Sequence, residues 1–448
     1  MSFGTAATYL INFQKKVTQS CATLAQSPVV KNFFIYSCGS IMLRGIAIFL
    51  APITLHVLTP ADYGLFSLVT SFNNIFIACI GLGLRQVFYI EYFHCDDQQR
   101  KQMTNTIMML YLIVALPIIG TMLSSTSLIN TIVFNNNANP SLIVLCMIYC
   151  FMFFFVELFY QHVQYACRAL ELTLLQMSVA LITLLSTILF LYHLRLNIYG
   201  ILLGYILGMM IVMAIAAHHY RINNYWASFS FAHSRKKFLS YIILGIPFIP
   251  SILFAWMLSS GDKWVLTHYA TMHDVGIYAI ADAFSQLFYM IILYPMSGSY
   301  LPWLFKQFAD NKDNLLPVEL YNKKIMYWCM LATAALITGC YILFKPILYW
   351  ALPAHYHEAI QYIWLILMGN VFLMGSYFSS ALIQFHKKTY FLAFALCIPA
   401  CTNIALNILL IPHYGIYGCA GATLIAYIGY FLITLWYNKL LSKKLNNF

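Results

Sequence analysis

Charged residues are scarce in this 448-residue sequence: Asp, Glu, Lys and Arg make up 8% of it, whereas 62% is hydrophobic. Such a composition excludes a soluble enzyme. It also excludes a nucleic-acid-binding protein, because the net charge of +11 comes from a few residues spaced between apolar runs. Long polar loops are missing too, so no folded domain is expected outside the apolar runs.

Clusters of His and Cys at metal-ligand spacing are also missing. Most of the twelve Cys lie within apolar runs, so the sequence predicts buried, reduced thiols and neither a metal site nor a cofactor. The first 30 residues lack a continuous apolar core, so no cleavable signal peptide is predicted.

The apolar runs themselves are long enough to cross a membrane. A crossing helix needs about 20 apolar residues, and the run at 102–156 has no charged residue and is broken at 135–140, NNNANP. It therefore holds two spans. The same argument predicts twelve spans along the chain, at 33–55, 64–86, 104–125, 140–161, 172–193, 197–219, 239–260, 276–298, 325–348, 359–382, 389–411 and 415–438.

Basic residues indicate how these spans are oriented. If the N-terminus is inside, 20 of the 24 Lys and Arg fall in inside segments, and three fall at or near the outside, namely Arg195, Lys263 and Lys345. Lys and Arg are enriched in cytoplasmic loops. The sequence therefore predicts that both termini are cytoplasmic.

The chain is internally duplicated. The segment Leu58–Phe72, LTPADYGLFSLVTSF, is repeated in part 212 positions later at Ala270–Phe284, ATMHDVGIYAIADAF, and Ile198–Gly200 reappears at Ile416–Gly418. Each half contains six spans, an even number, so both halves have the same orientation in the membrane. Duplicated membrane units usually build transporters, in which the substrate path lies between the repeats. Identical residues at the 212-residue offset include Thr59/Thr271, Asp62/Asp274, Gly64/Gly276 and Phe72/Phe284.

We therefore predict an all-α polytopic membrane protein of two six-helix lobes related as parallel repeats. The predicted parts are a cytoplasmic N-terminal segment at 1–32, a first lobe at 33–220, a basic cytoplasmic linker at 221–238, a second lobe at 239–438 and a cytoplasmic tail at 439–448. Within the second lobe, Gly245-Ile246-Pro247 is predicted to break or bend the seventh span.

Three ionisable residues lie deep within predicted spans: Arg44, Glu157 and Asp282. Each costs about 2.5–3.5 kcal/mol near the bilayer centre, so a functional or paired role is expected. An Arg44–Glu157 ion pair that only holds helices together is the alternative. Their surroundings are polar as well. Helical spacing predicts that Glu157, Gln161, Gln164 and Arg168 share one side of span 4, and Asp282 shares a stripe with Gln286, whose equivalent in the first half is Asn74.

The repeated Asp residues are predicted to have a structural role. Thr59 with Asp62, and Thr271 with Asp274, have the Thr-x-x-acid spacing of a helix capping box. We predict that both Asp residues cap helices and do not contact a substrate.

Several motifs resemble those of Wzx-type polysaccharide flippases, members of the multidrug/oligosaccharidyl-lipid/polysaccharide exporter (MOP) superfamily. The motifs follow the family's order along almost the whole chain. They are NFFIYSCGSIMLRGIAIFLAPITLHVLTPADYGLFSLVTSF at 32–72, GLGLRQVFYIEYF at 81–93, CRALE at 167–171, GIPFIPSILFAWMLSSGDKWVL at 245–266 and DVGIYAIADAFSQL at 274–287.

The resemblance implies a bacterial inner-membrane protein that is not an enzyme. It would move undecaprenyl-diphosphate-linked oligosaccharide from the cytoplasmic to the periplasmic leaflet by alternating access, for O-antigen of lipopolysaccharide, capsule or exopolysaccharide. Membrane lipid, polysaccharide assembly proteins, and H⁺ or Na⁺ as a coupling ion are the partners it implies. The twelve predicted spans are fewer than the fourteen of lipid II flippases, which argues against a peptidoglycan precursor as substrate.

The resemblance also suggests roles for individual residues. Arg44 matches a basic position common in the family's first span and would be the deep phosphate donor, while Asp262 and Lys263 match an acidic–basic pair that often ends span 7. A diphosphate needs Arg or Lys donors, and sugars need amides and hydroxyls. The remaining candidates are Arg85 and Arg168 for the headgroup, Asn74, Gln161, Gln164 and Gln286 for the glycan, and Glu157 and Asp282 for ion coupling.

Two other functions remain open. A cation-coupled multidrug exporter of the same superfamily would use an acidic cavity, which Glu157 and Asp282 permit. A membrane glycosyltransferase such as an O-antigen polymerase or ligase is disfavoured, because such enzymes usually need a sizeable periplasmic loop. The longest outside loop predicted here, at about 261–275, is short.

Overall fold

The structure is a computed structural model that describes residues 50, 53–92, 95–166, 168–222, 231–311, 315–386 and 388–445. In these ranges the chain is helical and contains no β-strand. Predicted span 1 lies almost entirely outside them, and so does Arg44.

Fourteen α-helices follow one another in the described ranges, and π-helical turns extend two of them. They are α1 (Pro60–Gly81), α2 (Leu84–Tyr92), α3 (Asp97–Ser124), α4 (Thr126–Phe134), α5 (Pro140–Tyr165), α6 (Ala169–Ile188, then the π turn Leu189–His193), α7 (Asn197–Ile222), α8 (Phe231–Gly245), α9 (Phe248–Tyr269), α10 (Met272–Phe288, then the π turn Tyr289–Leu293), α11 (Tyr294–Asp310), α12 (Leu316–Ala351), α13 (Ile360–Phe385, preceded by the 3₁₀ helix Ala354–Ala359) and α14 (Thr389–Leu445).

Ten helical segments of the described chain have the length and apolar composition needed to cross a membrane. Nine correspond to predicted spans 2–10, and the tenth, Tyr390–Ser442, contains predicted spans 11 and 12. Within it, Gly415 has φ 53° and ψ −131°, which no α-helical residue adopts, so α14 is broken where IPHYG predicts a break. The all-α polytopic membrane fold is confirmed.

Two helix breaks lie against each other. Span 7 is interrupted between Gly245, the last residue of α8, and Phe248, the first of α9, as its Gly and Pro residues predict. Between α1 and α2, Leu82 and Gly83 take left-handed φ values of 45° and 69°. A Cβ on Gly83 would touch the Gly245 carbonyl and lie 2.9 Å from its carbon, so only glycine fits here.

Both predicted capping boxes are present. The backbone N–H of Asp62 donates to Thr59 Oγ1 at 3.2 Å, and the Thr59 N–H donates to Asp62 Oδ2 at 3.4 Å. The bonds between Thr271 and Asp274 are 3.2 Å and 3.0 Å. These bonds satisfy N–H groups that a helix start leaves free, so the prediction that both Asp residues cap helices is confirmed.

Close contacts divide the described chain into a first compact unit that ends at Ala279 and a second that begins at Ile280, inside α10. In the first unit, α5 packs against α1 and α7, and α9 packs along α1. In the second, α13 lies between α12 and α14 and contributes much of the buried core. The lobe boundary at 221–238 stays a prediction, and 223–230 lie outside the described residues.

Candidate functional site

An ion pair in the first unit joins two helices. The break after α1 places Arg85 at the start of α2, and its Nη2 lies 2.7 Å from Oε2 of Glu157 on α5. The two side chains are 34% and 24% exposed, so the pair is reachable from outside the packed helices. The sequence did not predict this partner for Glu157, because 72 residues separate the two positions. Arg44, the partner considered there, lies outside the described residues.

The polar stripe on α5 continues for two turns beyond Glu157. Gln161 is half-buried, and its Oε1 is covered and has no hydrogen-bond partner in the described ranges. Gln164 is exposed near the end of the helix. Polar atoms that are buried in proteins normally have a partner, so the Gln161 oxygen is available to accept a hydrogen bond.

Arg168 does not lie on the stripe as the helical spacing predicts. The helix α5 ends at Tyr165, and the N–H of Arg168 donates to the Val163 carbonyl at 3.3 Å, in the turn that leads to α6. The assumption that span 4 stays helical to residue 168 was therefore wrong. The exposed Arg168 instead precedes α6, where its Nη1 lies 3.5 Å from Glu171 Oε2.

Aromatic rings flank this site. Tyr165, at the end of α5, lies 5.6 Å from Tyr89 and 5.3 Å from Tyr92 between ring centroids, and both partners are on α2. Tyr89 is mostly exposed, whereas Tyr92 is buried and carries Arg100 over its ring at 4.7 Å. The end of α5 thus combines cations, amides and an exposed aromatic face.

The equivalent positions Asn74 and Gln286 are both exposed, and the residue before each is buried. These buried neighbours make matching bonds. Cys150 Sγ on α5 donates to Asn73 Oδ1 at 3.2 Å, and Asn370 Nδ2 on α13 donates to Ser285 Oγ at 2.7 Å. Cys150 and Asn370 are 220 positions apart, and so are the ends of α5 and α13. The two residues are therefore equivalent in the two repeats. Equivalent bonds join α1 to α5 and α10 to α13.

Asp282, which was predicted to share a stripe with Gln286, and Asp262, which was predicted to end span 7 beside Lys263, are both buried. Asp282 lies on α10 one turn before Ser285. Asp262, which is 2% exposed, accepts hydrogen bonds from the hydroxyl of Tyr278 and, at 2.8 Å, from the N–H of Lys263. Lys263 is buried as well. Within the described ranges, no group of three or more His, Cys, Asp or Glu is arranged to hold a metal ion.

Sequence reasoning missed a buried carboxylate in the second unit. Glu319 on α12 is 1% exposed, and its Oε1 lies 3.5 Å from Lys323 Nζ. Asn322 Nδ2 lies 3.4 Å from Glu319 Oε2, and Lys323 Nζ lies 3.3 Å from Ser442 Oγ on α14. The predicted span began at 325, so Glu319 was placed in a loop. The i,i+4 spacing of Glu319 and Lys323 was the available signal for a longer helix.

The family model of polysaccharide biosynthesis proteins matches residues 29–308 of this chain, well over half of its length. The chain belongs to this family. Arg85, Glu157 and the whole polar stripe on α5 lie within the matched residues, as do Asp262 and Asp282. A comparison with curated protein sequences gives no significant match.

Solved structures share the fold of this family member. A multidrug resistance MATE transporter of the MOP superfamily, in an inward-facing conformation, matches with a TM-score of 0.72 at 15% identity, over 90% of this chain and 95% of that one. The lipid II flippase MurJ, in an inward closed conformation, matches with a TM-score of 0.71 at 15% identity, over 91% and 87%. A MOP transporter from Pyrococcus furiosus, described as having a binding pocket of reverse polarity, matches with a TM-score of 0.63 at 14% identity, over 93% and 96%. The polysaccharide biosynthesis protein thus has the MOP transporter fold.

Proposed function

We propose that this polysaccharide biosynthesis protein is a flippase that moves undecaprenyl-diphosphate-linked oligosaccharide repeat units across the bacterial inner membrane. The observation that carries the proposal is the family match over residues 29–308 on a chain with the MOP transporter fold. The glycan would then enter O-antigen, capsule or exopolysaccharide assembly. Transport, rather than a reaction on the glycan, is the proposed activity.

The side chains at the end of α5 suit a lipid-linked sugar. A diphosphate needs guanidinium donors, which Arg85 and Arg168 offer. The sugars need amides, and Gln161 and Gln164 lie on the same helix. Asn74 and Gln286 add an exposed amide from each repeat, and Arg44 remains the candidate for a deeper phosphate donor.

Ion coupling is the second part of the proposal. Glu157 and Asp282 are carboxylates on predicted membrane spans, where an acidic residue costs free energy and usually serves a pathway or relay. We therefore assign them to coupling by H⁺ or Na⁺. The buried Asp262 bonds to Tyr278 instead, which supports a role in packing α9 against α10.

The test uses cells in which the gene is deleted and then restored. We expect deletion to accumulate a complete repeat unit on undecaprenyl diphosphate and to remove the surface polymer, because synthesis continues while export stops. Mass spectrometry of extracted lipid and gel analysis of surface polysaccharide measure the two pools. Restoration with Arg44→Ala should leave the defect in place at normal membrane abundance.

Other outcomes would point to other functions. Surface glycan capped with a single repeat unit would contradict the proposal and indicate a polymerase. If neither pool changes, the flippase proposal fails, and accumulation of cationic drugs by the deleted cells would identify a multidrug exporter of the same fold.

A further inference from the structure

The Arg85–Glu157 pair is an incomplete one. A guanidinium can hold a carboxylate or a phosphate through two parallel N–H donors. Here Arg85 holds Glu157 through Nη2, whereas its Nε is buried and has no hydrogen-bond partner in the described ranges. A buried donor without a partner costs free energy. The Glu157 carboxylate therefore leaves one hydrogen-bond donor of Arg85, the Nε–H, without an acceptor.

The pair is also open to competition. Both side chains remain partly exposed. Gln161, one turn along α5 from Glu157, has a covered oxygen that has no partner among the residues the structure describes. The pair is unlike those of Arg100 with Asp97 and of Arg168 with Glu171, which form between neighbours three residues apart in sequence. The Arg85–Glu157 contact instead joins side chains on two helices, 72 positions apart in sequence.

We infer that Glu157 binds Arg85 where the substrate's phosphate would bind, and that an arriving diphosphate displaces the Glu157 carboxylate from Arg85. This inference rests on the proposed flippase function. A phosphate group brings oxygens for both Nη2 and Nε, so it satisfies the donor that Glu157 leaves free. Glu157 then competes with the substrate and does not help to bind it. On release, the carboxylate returns to Arg85 and expels the phosphate.

This inference predicts that Glu157→Gln raises the affinity for the diphosphate, whereas mutation of a residue that binds the ligand would lower it. A binding residue weakens binding when it is changed, whereas removal of a competitor strengthens it. Partly exposed ion pairs are weak, and their loss corresponds to a gain in affinity of about two- to fivefold. Arg85→Ala should weaken binding about tenfold or more, because charge-assisted bonds to the phosphate are lost.

The experiment measures binding of undecaprenyl diphosphate to the full-length chain in phosphatidylcholine nanodiscs by a change in tryptophan fluorescence. The variants are Glu157→Gln, Arg85→Ala and the double variant. Asp97→Asn is the matched control, because it also removes a carboxylate beside an arginine, Arg100. Circular dichroism and gel filtration check that each variant is folded.

We expect tighter binding for Glu157→Gln, no change for Asp97→Asn, and no effect of Glu157→Gln when Arg85 is already alanine. Weaker binding by Glu157→Gln would overturn the inference, and so would equal tightening by Asp97→Asn, which would show a general charge effect. A Glu157 effect that persists in the double variant would also overturn it, because the competition would not act through Arg85.

Inorganic diphosphate serves as a second probe. If it shows the same dependence on Glu157, the phosphate alone displaces the carboxylate; if only the lipid does, the headgroup must be delivered from the membrane. The probes carry no sugar, so this result is independent of the glycan pools in cells. If Glu157→Gln tightens binding but gene deletion causes no glycan defect, only the proposed flippase function is contradicted. If deletion causes the glycan defect but Glu157→Gln does not change binding, only this inference is contradicted.

Discussion

At the scale of single residues, packing in the first unit depends on glycines that touch backbone. Gly64 on α1 and Gly276 on α10 occupy equivalent positions in the two repeats and contact each other. A Cβ on Gly64 would touch the Met272 carbonyl and lie 2.8 Å from Gly276 N, and a Cβ on Gly276 would touch the Pro60 carbonyl and lie 2.6 Å from its carbon. Backbone atoms cannot move aside as a side chain can, so the contact needs glycine on both helices.

We expect Gly276→Ala to lower the free energy of unfolding by about 1–3 kcal/mol, as overpacking does. The change is measured by thermal unfolding of the purified protein in detergent. Gly339→Ala is the control, since Gly339 lies within α12 and no atom of the described chain is within 4 Å of a Cβ built there. There the alanine should stabilise by about 0.5–1 kcal/mol. Equal shifts in Tm for both variants would contradict the packing argument.

A second prediction concerns His386, which follows α13. Burial, and then the positive charge of Lys388, lower the pKa of the His386 imidazole. The unfolded chain therefore takes up this proton at a higher pH than the folded chain, so stability is lost as the pH falls through the ordinary histidine range. His386→Gln should reduce the loss of Tm between pH 7.5 and pH 5.5. The exposed His355, changed to Gln, should have a smaller effect.

At the scale of helices, the two capping boxes give matched variants. Asp62→Asn and Asp274→Asn each remove the carboxylate that accepts from the N-cap N–H, at the start of α1 and α10. Loss of a cap typically costs about 1 kcal/mol. We expect lower abundance in the membrane and a lower Tm for both variants, with an unchanged transport rate per folded molecule. A rate defect at normal abundance would show that these Asp residues act in transport.

The polar network around Glu319 yields a sharper comparison. Lys323→Met removes the cation beside a buried carboxylate, whereas Lys324→Met changes an exposed neighbour on the same helix. We expect the first variant to lose about 1–3 kcal/mol, the usual cost of a buried polar group that loses its partner. The second should stay within about 0.5 kcal/mol of wild type. Thermal unfolding decides between them, and equal losses would mean that Lys323 does not serve Glu319.

The extent to which these helices follow from sequence differs with the kind of signal. The apolar runs of spans 2–12, the NNNANP and IPHYG breaks, the Gly-Pro break in span 7 and both capping boxes are local features. The described part of the chain has each of them where the sequence predicts it. Helix ends were less predictable. Glu319 was placed in a loop and Arg168 on a helix, because a polar stretch beside a span can extend the helix or end it.

Contacts between helices could not be predicted from the sequence. The carboxylate of Glu157 needed a cation, and the sequence suggested Arg44, the one basic residue predicted to lie deep within a span. The choice of Arg85 depends on the left-handed turn at Leu82 and Gly83, which redirects α2. Likewise, Asn74 and Gln286 were identified by periodicity alone, whereas the buried bonds of Asn73 and Ser285 that position them appear only in the packed helices.

At the scale of the whole molecule, the orientation in the membrane is a separate prediction. Alkaline phosphatase inserted after Asn136, between α4 and α5, should be active, because this loop is predicted to face the periplasm. Green fluorescent protein fused after residue 448 should fluoresce, because the tail is predicted to be cytoplasmic. Exchanging the two reporters provides the control. An active phosphatase at the C-terminus would reverse the predicted orientation.

The contact between Gly64 and Gly276 also bears on how such a chain arose. When two copies of one protein meet around a two-fold axis, a residue on that axis touches its own counterpart. Two glycines at matching positions of a duplicated sequence reproduce that arrangement within a single polypeptide. A half-length ancestor that formed such a homodimer would have made this contact between two copies of one glycine. In the duplicated chain the two glycines can mutate separately, while the backbone contact requires glycine at each position.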